Sequence, residues 1–262
     1  MGIKTAIHPS QLPEKYQHHK LIPTTDGVMA TTYLLDNVYV LKLFEDDIPS
    51  EILENEITLL SKLNTLLVPK VIDQFNIAKN KVIIYTQMQG KSISHPDIWH
   101  IKEVALFLKA FHTQSQNIKI SCKNKFQKTA LKQHIDSTDN PSLLKHFHTM
   151  ELTLKCEGVI HGDLFPDNCK FKADKISGVY DFSDICLGDF HFDLAVIAVG
   201  WCFEKESLNR QKVEVLLKHY GSSIDDQTFT SYIRYALLYY ATTRYIAKRD
   251  YHILLKRLEK LT

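Results

Sequence analysis

The chain has 262 residues, of which 44% are hydrophobic and 24% are charged, and its formal net charge at pH 7 is +2. A chain of this length and composition can bury a sizeable hydrophobic core, in one domain or in two small lobes. The charge balance is that of an ordinary globular protein and provides no concentrated basic face for a nucleic acid.

The cysteines and the apolar stretches indicate the cellular environment. The five cysteines are odd in number and contain no CxxC pair, so we expect no disulfide framework and no zinc knuckle. Residues 1–16 lack the apolar region of a signal peptide, and the longest apolar stretch, residues 194–199, is too short to cross a bilayer. These features predict a cytoplasmic protein with reduced thiols and no membrane partner.

The first third of the sequence predicts a small sheet with one helix. The β-rich runs 31–35 and 38–44 flank an Asp-Asn turn and predict a hairpin. A helix is predicted over 51–64, where the apolar residues form one stripe. Residues 68–72 and 81–86 are two further predicted strands.

Two charged residues stand where the pattern of this region predicts apolar ones. Lys42 shares a strand face with Val40 and Phe44, because side chains alternate along a strand. Glu56 lies on the apolar stripe of the helix, four residues after Ile52. We expect Lys42 to hold nucleotide phosphates and Glu56 to position Lys42. A snorkelling lysine, and a glutamate at the border of the polar helix face, are the alternative interpretations.

The rest of the sequence is mainly helical. Amphipathic patterns predict helices over 101–112 and 231–248, with one or two more between them. Residues 158–182 are an exception, since they are rich in glycine and aspartate and contain short β-type runs. Residues 169–172 and 176–180 are predicted to pair as a hairpin that returns Asp181 beside Asn168. We predict an α+β fold of two lobes. The small antiparallel-sheet lobe would span 1–90, and the larger, mainly helical lobe, with the catalytic loop and acceptor site, would span 91–262.

The most informative motif is residues 161–168, which read His-Gly-Asp-Leu-Phe-Pro-Asp-Asn and are followed by Tyr-Asp-Phe at 180–182. The pattern matches the HRDxxxxN and DFG motifs of protein kinases, apart from two changes that involve glycine. Asp163 can accept the proton of an incoming hydroxyl. Asn168 and Asp181 offer the hard oxygen ligands that Mg²⁺ prefers. Asp163 and Asn168 alone could be turn residues, but their spacing and the later Asp181 favour a site for phosphoryl transfer.

Phosphoryl transfer requires the protein mainly to align the reacting groups and to neutralise charge. We assign the remaining contacts to ATP from the positions of residues in the predicted sheet lobe and in the connector after it. We expect Gly27 and the hydroxyls of Thr31 and Thr32 to lie over the phosphates, although one glycine is weak evidence. We expect the backbone of three residues to bind adenine. These residues are Gln87, Met88 and Gln89.

Three further polar residues are interpreted as structural. His161 would hold the catalytic loop through hydrogen bonds, and Asp193 would tie that loop to the following helix. His112 would belong to the helical core.

Residues 161–168, with Asp181 and the Asp-Leu-Ala run at 193–195, resemble the aminoglycoside phosphotransferase and choline kinase superfamily. That superfamily has a protein-kinase-like fold, uses HGD in place of HRD, and lacks the glycine after Asp-Phe. Both features occur here, at Gly162 and Ser183. The resemblance covers most of the chain.

Several segments are similar to the homoserine kinase branch of that superfamily. The segments are residues 158–168, 176–182, 201–204 and 216–220, together with Thr243 and Arg244. This resemblance implies ATP-dependent phosphorylation of the side-chain hydroxyl of L-homoserine, on the route to threonine. The chain departs from the branch in residues 27–32, in residues 183–185, and in carrying Lys42.

A pocket for homoserine requires an acidic group for the ammonium and an arginine for the carboxylate. Asp184, Asp189 and Arg244 are candidates, although they could equally be surface charges. Other acceptors remain open, namely choline, ethanolamine, a sugar or an aminoglycoside. An inactive kinase-like module is a further alternative, but the complete set of site residues argues against it. A protein kinase is disfavoured because no APE element follows Asp181.

Overall fold

The N-terminal part of the chain folds as an antiparallel sheet. The computed structural model describes residues 5–24, 30–45, 48–121 and 124–261. The strands are β1 (Leu21–Pro23), β2 (Ala30–Leu35), β3 (Tyr39–Phe44), β4 (Val71–Ile77) and β5 (Asn80–Thr86), and helix α1 (Ser50–Lys62) follows β3. They pair in the spatial order β1-β2-β3-β5-β4.

The hairpin and the helix predicted for this part are confirmed. Asp36 and Asn37 have φ angles of 47° and 56° and join β2 to β3, as a tight hairpin turn requires. The strand predicted over 68–72 is wrong at its start. Strand β4 begins at Val71, because the nearby Pro69 has no N–H for a ladder, and it continues to Ile77.

Both faces of the sheet are covered, and each carries a different set of side chains. One face presents Leu35 and Leu41 to the segment before β1, which covers it with Leu12 and Tyr16. The opposite face packs against α1 and carries Lys42. The covering segment, which sequence patterns did not assign, turns this lobe into a three-layer unit.

The second part of the chain is built from helices. They are α2 (Ile98–Ser115), α3 (Lys128–Asp136), α4 (Pro141–His148), α5 (Phe190–Trp201), α6 (Arg210–Tyr220), α7 (Asp226–Ile246) and α8 (His252–Lys260). Every residue from 192 to 199 of α5 is buried, so this helix lies at the centre of the core. Helix α7 starts five residues before the start predicted at 231, because the Asp225 side chain accepts the Thr228 N–H at 2.8 Å and caps it.

Three pairs of short strands interrupt the helices. They are β6 (Gly158–Ile160) with β9 (Cys186–Gly188), β7 (Cys169–Lys172) with β8 (Lys175–Val179), and β10 (Phe203–Glu204) with β11 (Ser207–Leu208). The β7–β8 hairpin was predicted, and the Tyr180 N–H donates to the Asn168 carbonyl at 3.0 Å, next to its open end. The hairpin therefore returns Asp181 to the end of the catalytic loop.

The α+β class is confirmed, with a sheet lobe followed by a mainly helical one. The proposed division after residue 90 falls in the loop between β5 and α2. Among the helices in the described ranges, none has the length and apolar character needed to cross a membrane.

The covering segment provides a test of the sheet packing. Leu12 is only 3% exposed, so Leu12→Ala should lower the free energy of unfolding by about 2–5 kcal/mol. Leu67, which is half exposed, provides the control, and Leu67→Ala should change it by less than about 0.5 kcal/mol. Urea unfolding measures both variants, and equal midpoints would show that the segment is not packed on the sheet.

Candidate active site

Asp163 and Asn168 meet at the catalytic loop, which joins β6 to β7. The Asn168 Nδ2 donates to the Asp163 backbone carbonyl at 2.7 Å and to the Asp163 Oδ2 at 2.9 Å. An amide whose nitrogen faces a carboxylate turns its oxygen away from it. The Asn168 Oδ1 is therefore available to a cation, and the Asp163 Oδ1 is available to an acceptor.

Asp181 lies opposite this pair, between the two lobes. Its Oδ1 accepts hydrogen bonds from the Lys42 Nζ at 2.9 Å and from the Ser183 Oγ at 2.8 Å. Its φ of 66° is left-handed, which costs a non-glycine residue free energy and occurs mostly where function requires it. Burial alone would raise the pKa of Asp181, but the Lys42 charge outweighs it and lowers the pKa to about 2. Asp181 is therefore ionised at neutral pH.

Glu56 does not position Lys42 directly, and this expectation needs correction. Its Oε1 accepts from the Tyr85 hydroxyl at 3.2 Å, whereas its buried Oε2 has no hydrogen-bond partner among the described residues. Burial raises the pKa of Glu56, and the Lys42 charge opposes that rise. The Lys42 ammonium donates a hydrogen bond to Asp181, whereas Glu56 influences Lys42 only through its charge.

The two threonines of β2 lie on opposite faces of the sheet, because neighbouring side chains of a strand point in opposite directions. Thr32 is the cross-strand partner of Lys42, so the two share the face toward the cleft. Thr31 lies on the other face, where its hydroxyl donates to Glu45 and accepts from the Thr5 N–H. The assignment of Thr31 to the nucleotide is therefore wrong, and Gly27 lies outside the described residues.

The connector after β5 is fixed against the β7–β8 hairpin. The Gln89 carbonyl accepts from the Ser177 hydroxyl, and Met88 packs so closely on Gly178 that a Cβ there would lie 2.6 Å away. The Gln87 N–H donates to the Val38 carbonyl at 3.0 Å, so it is not available to adenine. Within the described ranges no backbone hydrogen bond uses the N–H groups of Met88 and Gln89, which remain candidate donors.

Asp193 anchors the backbone of the catalytic loop, as predicted. Its Oδ2 accepts the His161 N–H at 2.7 Å, and its Oδ1 accepts the Gly162 N–H at 2.8 Å. His161 supports the same loop, because its Nδ1 accepts the Asp163 N–H at 3.3 Å. Burial lowers the pKa of His161, so the ring is neutral.

His112 is buried in the helical core, as predicted, and it also supports the carboxylate that holds the catalytic loop. Its Nε2 lies 3.0 Å from the Asp193 Oδ2, and its Nδ1 lies 2.8 Å from the Tyr220 hydroxyl. The ring also stacks on Phe190 at 4.0 Å. His112 thus connects α2 and α6 to the carboxylate that holds the loop, over a sequence separation that no local pattern reveals.

Two aromatic residues that the sequence patterns did not select hold carbonyls of the loop. The Tyr240 hydroxyl donates to the Gly162 carbonyl, and the Trp201 Nε1 donates to the Leu164 carbonyl at 2.8 Å. Gly162 has a φ of 76°, and a Cβ there would lie 2.6 Å from the Phe126 ring. The glycine that replaces the arginine of the kinase motif is therefore required by both conformation and space.

The site has a strongly negative potential. Burial raises the pKa of Asp163 well above its usual value, and the charges of Asp184, Asp181 and Asp167 raise it further. A divalent cation would relieve this repulsion, and the oxygens of Asn168 and Asp181 are the type that Mg²⁺ prefers. The donor set therefore fits the metal predicted from the sequence.

The three candidate acceptor residues have different surroundings. Asp189 is only 1% exposed and is used inside the fold, because it caps α5 and accepts from the Lys155 N–H and the Tyr232 hydroxyl. Its assignment to the acceptor is wrong. Asp184 lies near Asp163 and forms an ion pair with Lys125. Arg244 is half-buried on α7, four residues after Tyr240.

A sheet lysine bonded to an aspartate of the helical lobe, beside an Asp–Asn loop pair, is the arrangement of a kinase-like phosphotransferase. A sequence profile of the phosphotransferase enzyme family matches residues 20–221. The chain therefore belongs to the phosphotransferase enzyme family.

Curated relatives of the chain are named homoserine kinase. That of Bartonella tribocorum is 29% identical over 84% of this chain and 79% of that protein. That of Parvibaculum lavamentivorans is 31% identical over 55% of this chain and 49% of that protein. These matches confirm the superfamily and the similarity to the homoserine kinase branch.

Solved structures with the same fold have low sequence identity. The GDP complex of aminoglycoside 2′-phosphotransferase-IIIa has a TM-score of 0.69 and 17% identity, over 92% of each chain. The ternary complex of streptomycin, ATP and APH(2″)-IIa has a TM-score of 0.62 and 18% identity, over 95% of this chain and 92% of that one. At this identity the likeness establishes the fold.

The Asp193 anchor can be tested by Asp193→Asn. The substitution removes the charged acceptor of three buried donors and should lower the free energy of unfolding by about 3–5 kcal/mol. Asp225→Asn, at the exposed cap of α7, is the control and should change little, because asparagine also caps helices. Chemical denaturation of both variants provides the measurement.

The difference in the free energy of unfolding between wild type and Asp193→Asn should depend on pH. Burial would raise the pKa of Asp193, but the hydrogen bonds from the His112 side chain and from the His161 N–H lower it below its usual value. The stability that ionised Asp193 contributes is complete above about pH 4 and is lost as the pH falls through the lowered pKa. The difference between wild type and Asp193→Asn should therefore narrow in acid, and a constant difference would contradict the anchor.

Proposed function

We propose that the protein is an ATP-dependent kinase that transfers the γ-phosphoryl group to the side-chain hydroxyl of L-homoserine. The observation that carries this proposal is the meeting of Asp163, Asn168, Asp181 and Lys42 between the two lobes. Residues 1–90 would then hold the nucleotide, and residues 91–262 would hold the acceptor. The product, O-phosphohomoserine, would be used in threonine biosynthesis.

Asp163 acts on the acceptor hydroxyl. The hydrogen bond from Asn168 fixes one carboxylate oxygen, which orients the other toward an incoming hydroxyl. The raised pKa of Asp163 makes the carboxylate a better proton acceptor once it is ionised. Asp163 thereby aligns the hydroxyl oxygen with the phosphorus and takes its proton as the new P–O bond forms.

Lys42, Asn168 and Asp181 act on the phosphate side. Mg²⁺ held by Asn168 and Asp181 would neutralise charge on the transferred group and on the leaving diphosphate. Lys42 is kept protonated by its acidic neighbours, so it can bind phosphate oxygens when Asp181 takes the metal. Thr32, on the same strand face, offers a hydroxyl to the phosphates.

Homoserine is proposed as the acceptor because the curated relatives that align with most of the chain carry that name. Aminoglycosides are the acceptors named for several solved structures, but those proteins share only the fold with this chain. Choline, ethanolamine and sugars remain the comparison compounds.

An ADP-release assay with Mg²⁺ and ATP tests the proposal over this panel. We expect homoserine to give the highest kcat/KM, with choline, ethanolamine, sugars and aminoglycosides far below it. A higher value for any other acceptor would overturn the homoserine assignment while leaving the kinase assignment in place. No acceptor-dependent release of ADP would count against both.

Asp163→Asn tests the proton acceptor. We expect kcat to fall by about a hundredfold to ten-thousandfold, because the amide cannot take the proton, while the affinity for ATP is nearly unchanged. Asp139→Asn, at an exposed carboxylate before α4, should keep wild-type turnover. Wild-type turnover in Asp163→Asn would refute the assignment.

Asp181→Ala tests the metal ligand through binding rather than turnover. Titration of ATP with and without Mg²⁺ should show that the variant loses the magnesium-dependent gain in affinity. Asp174→Ala, at the exposed turn of the β7–β8 hairpin, should retain it. An unchanged magnesium dependence in Asp181→Ala would show that another group holds the ion.

A further inference from the structure

Two arginines of the helical lobe, Arg244 on α7 and Arg257 on α8, are only partly exposed. Arg257 of α8 is half-buried, with its guanidinium 4.6 Å from the centre of the Phe203 ring. Its Nε donates to the Lys205 carbonyl at 2.7 Å, and its Nη1 donates to the Val199 carbonyl at 3.1 Å. These neutral acceptors fix the plane of the guanidinium but leave its charge uncompensated.

The anchor of Arg257 adjoins the catalytic loop. Val199 precedes Gly200, and a Cβ on Gly200 would lie 2.5 Å from the Phe165 ring. Phe165 follows Asp163 by two residues, and its ring meets the Tyr240 ring edge to face at 4.9 Å. Arg257 is therefore held beside the segment that carries the proposed proton acceptor.

Arg244 lies on α7, the helix that also carries Tyr240. It lies one turn after Tyr240, whose hydroxyl binds the Gly162 carbonyl, and residues four apart share a helix face. Because side chains on a helix lean toward its N-terminus, we expect the Arg244 side chain to lie toward Tyr240.

In the described part of the chain neither arginine forms an ion pair with a carboxylate, although the charges of Arg244 and Asp250 act on each other. The ion pairs found in the described ranges of the chain include neither of them. Asp250 lies just beyond α7, but it is exposed and its carboxylate bonds to the backbone and ring of His252. Burial, and then the charge of Arg244, lower the pKa of Arg257, as expected where like charges lie near each other.

We propose that Arg244 and Arg257 form an anion site that binds the carboxylate of the acceptor while its hydroxyl meets Asp163. A guanidinium held in a fixed plane matches the two oxygens of a carboxylate, and the bound anion relieves the repulsion between the arginines. The acceptor would therefore be a compound that carries both a hydroxyl and a carboxylate, such as a hydroxy amino acid. Choline, sugars and aminoglycosides lack that group. This inference rests on the proposed kinase function.

Acceptor pairs that differ only in the carboxylate test the site. L-Homoserine is compared with 3-amino-1-propanol, and L-serine with ethanolamine, in wild type, Arg244→Gln and Arg257→Lys. We expect each variant to raise KM for the carboxylate compound by about tenfold to a hundredfold, since a charge-assisted hydrogen-bonded pair is lost. The KM for the amino alcohols should not change, and kcat should fall less than KM rises.

Arg210→Gln is the matched control, because Arg210 is exposed and pairs with Asp226 at 2.6 Å on the surface. It should keep wild-type KM for every compound. Equal effects of Arg244→Gln and Arg257→Lys on both members of a pair would overturn the anion site. Thermal unfolding of each variant shows whether it is folded, and Arg257→Lys preserves the positive charge and the stem that packs near Phe203.

Calorimetric binding of L-2-aminobutyrate separates this inference from the proposed function, because that compound has the carboxylate and no hydroxyl. Binding that both arginine variants weaken supports the site even if homoserine is not phosphorylated. Phosphorylation of homoserine with unchanged KM in both variants keeps the function and overturns the site. Wild-type protein that binds neither 2-aminobutyrate nor homoserine also overturns the site.

Discussion

The buried carboxylate of Asp193 is the interaction on which the active-site geometry depends. It lies at the centre of the core on α5 and accepts hydrogen bonds from two consecutive backbone N–H groups of the catalytic loop. Because a fully buried charge is tolerated only when its partners are complete, the fold must bring His112 and the loop to it together. The position of Asp163 is therefore set by the helical core, and α2, α5 and α6 all contribute to it.

The second constraint is charge balance across the cleft between the lobes. Several carboxylates converge on one volume, and Lys42 of the sheet lobe is bonded to one of them, Asp181. The same bond joins the lobes and keeps Asp181 ionised. When a metal ion and a nucleotide supply the compensating charges, Lys42 can turn to the phosphates. Glu56, whose Oε2 has no partner, lies close enough to act on its charge.

Much of this arrangement could be predicted from short-range patterns. The spacing of Asp163 and Asn168 and the hairpin that returns Asp181 are encoded within residues 163–181. The α+β division follows from the change in hydrophobic periodicity. The error at Thr31 was avoidable, because alternation lets only one of two adjacent threonines face Lys42. Asp189 was misassigned because its role as a helix cap depends on where α5 begins.

The roles of His112, Trp201 and Tyr240 could not be predicted, because their partners are 37 to 81 residues away in the chain. The most direct test of the account is a crystal structure with Mg²⁺ and a non-hydrolysable ATP analogue. The account predicts a metal ion within about 2.1 Å of the Asn168 Oδ1 and an Asp181 oxygen, with Lys42 turned from Asp181 to the phosphates. An ion held by other side chains, or a nucleotide bound outside the cleft, would contradict it.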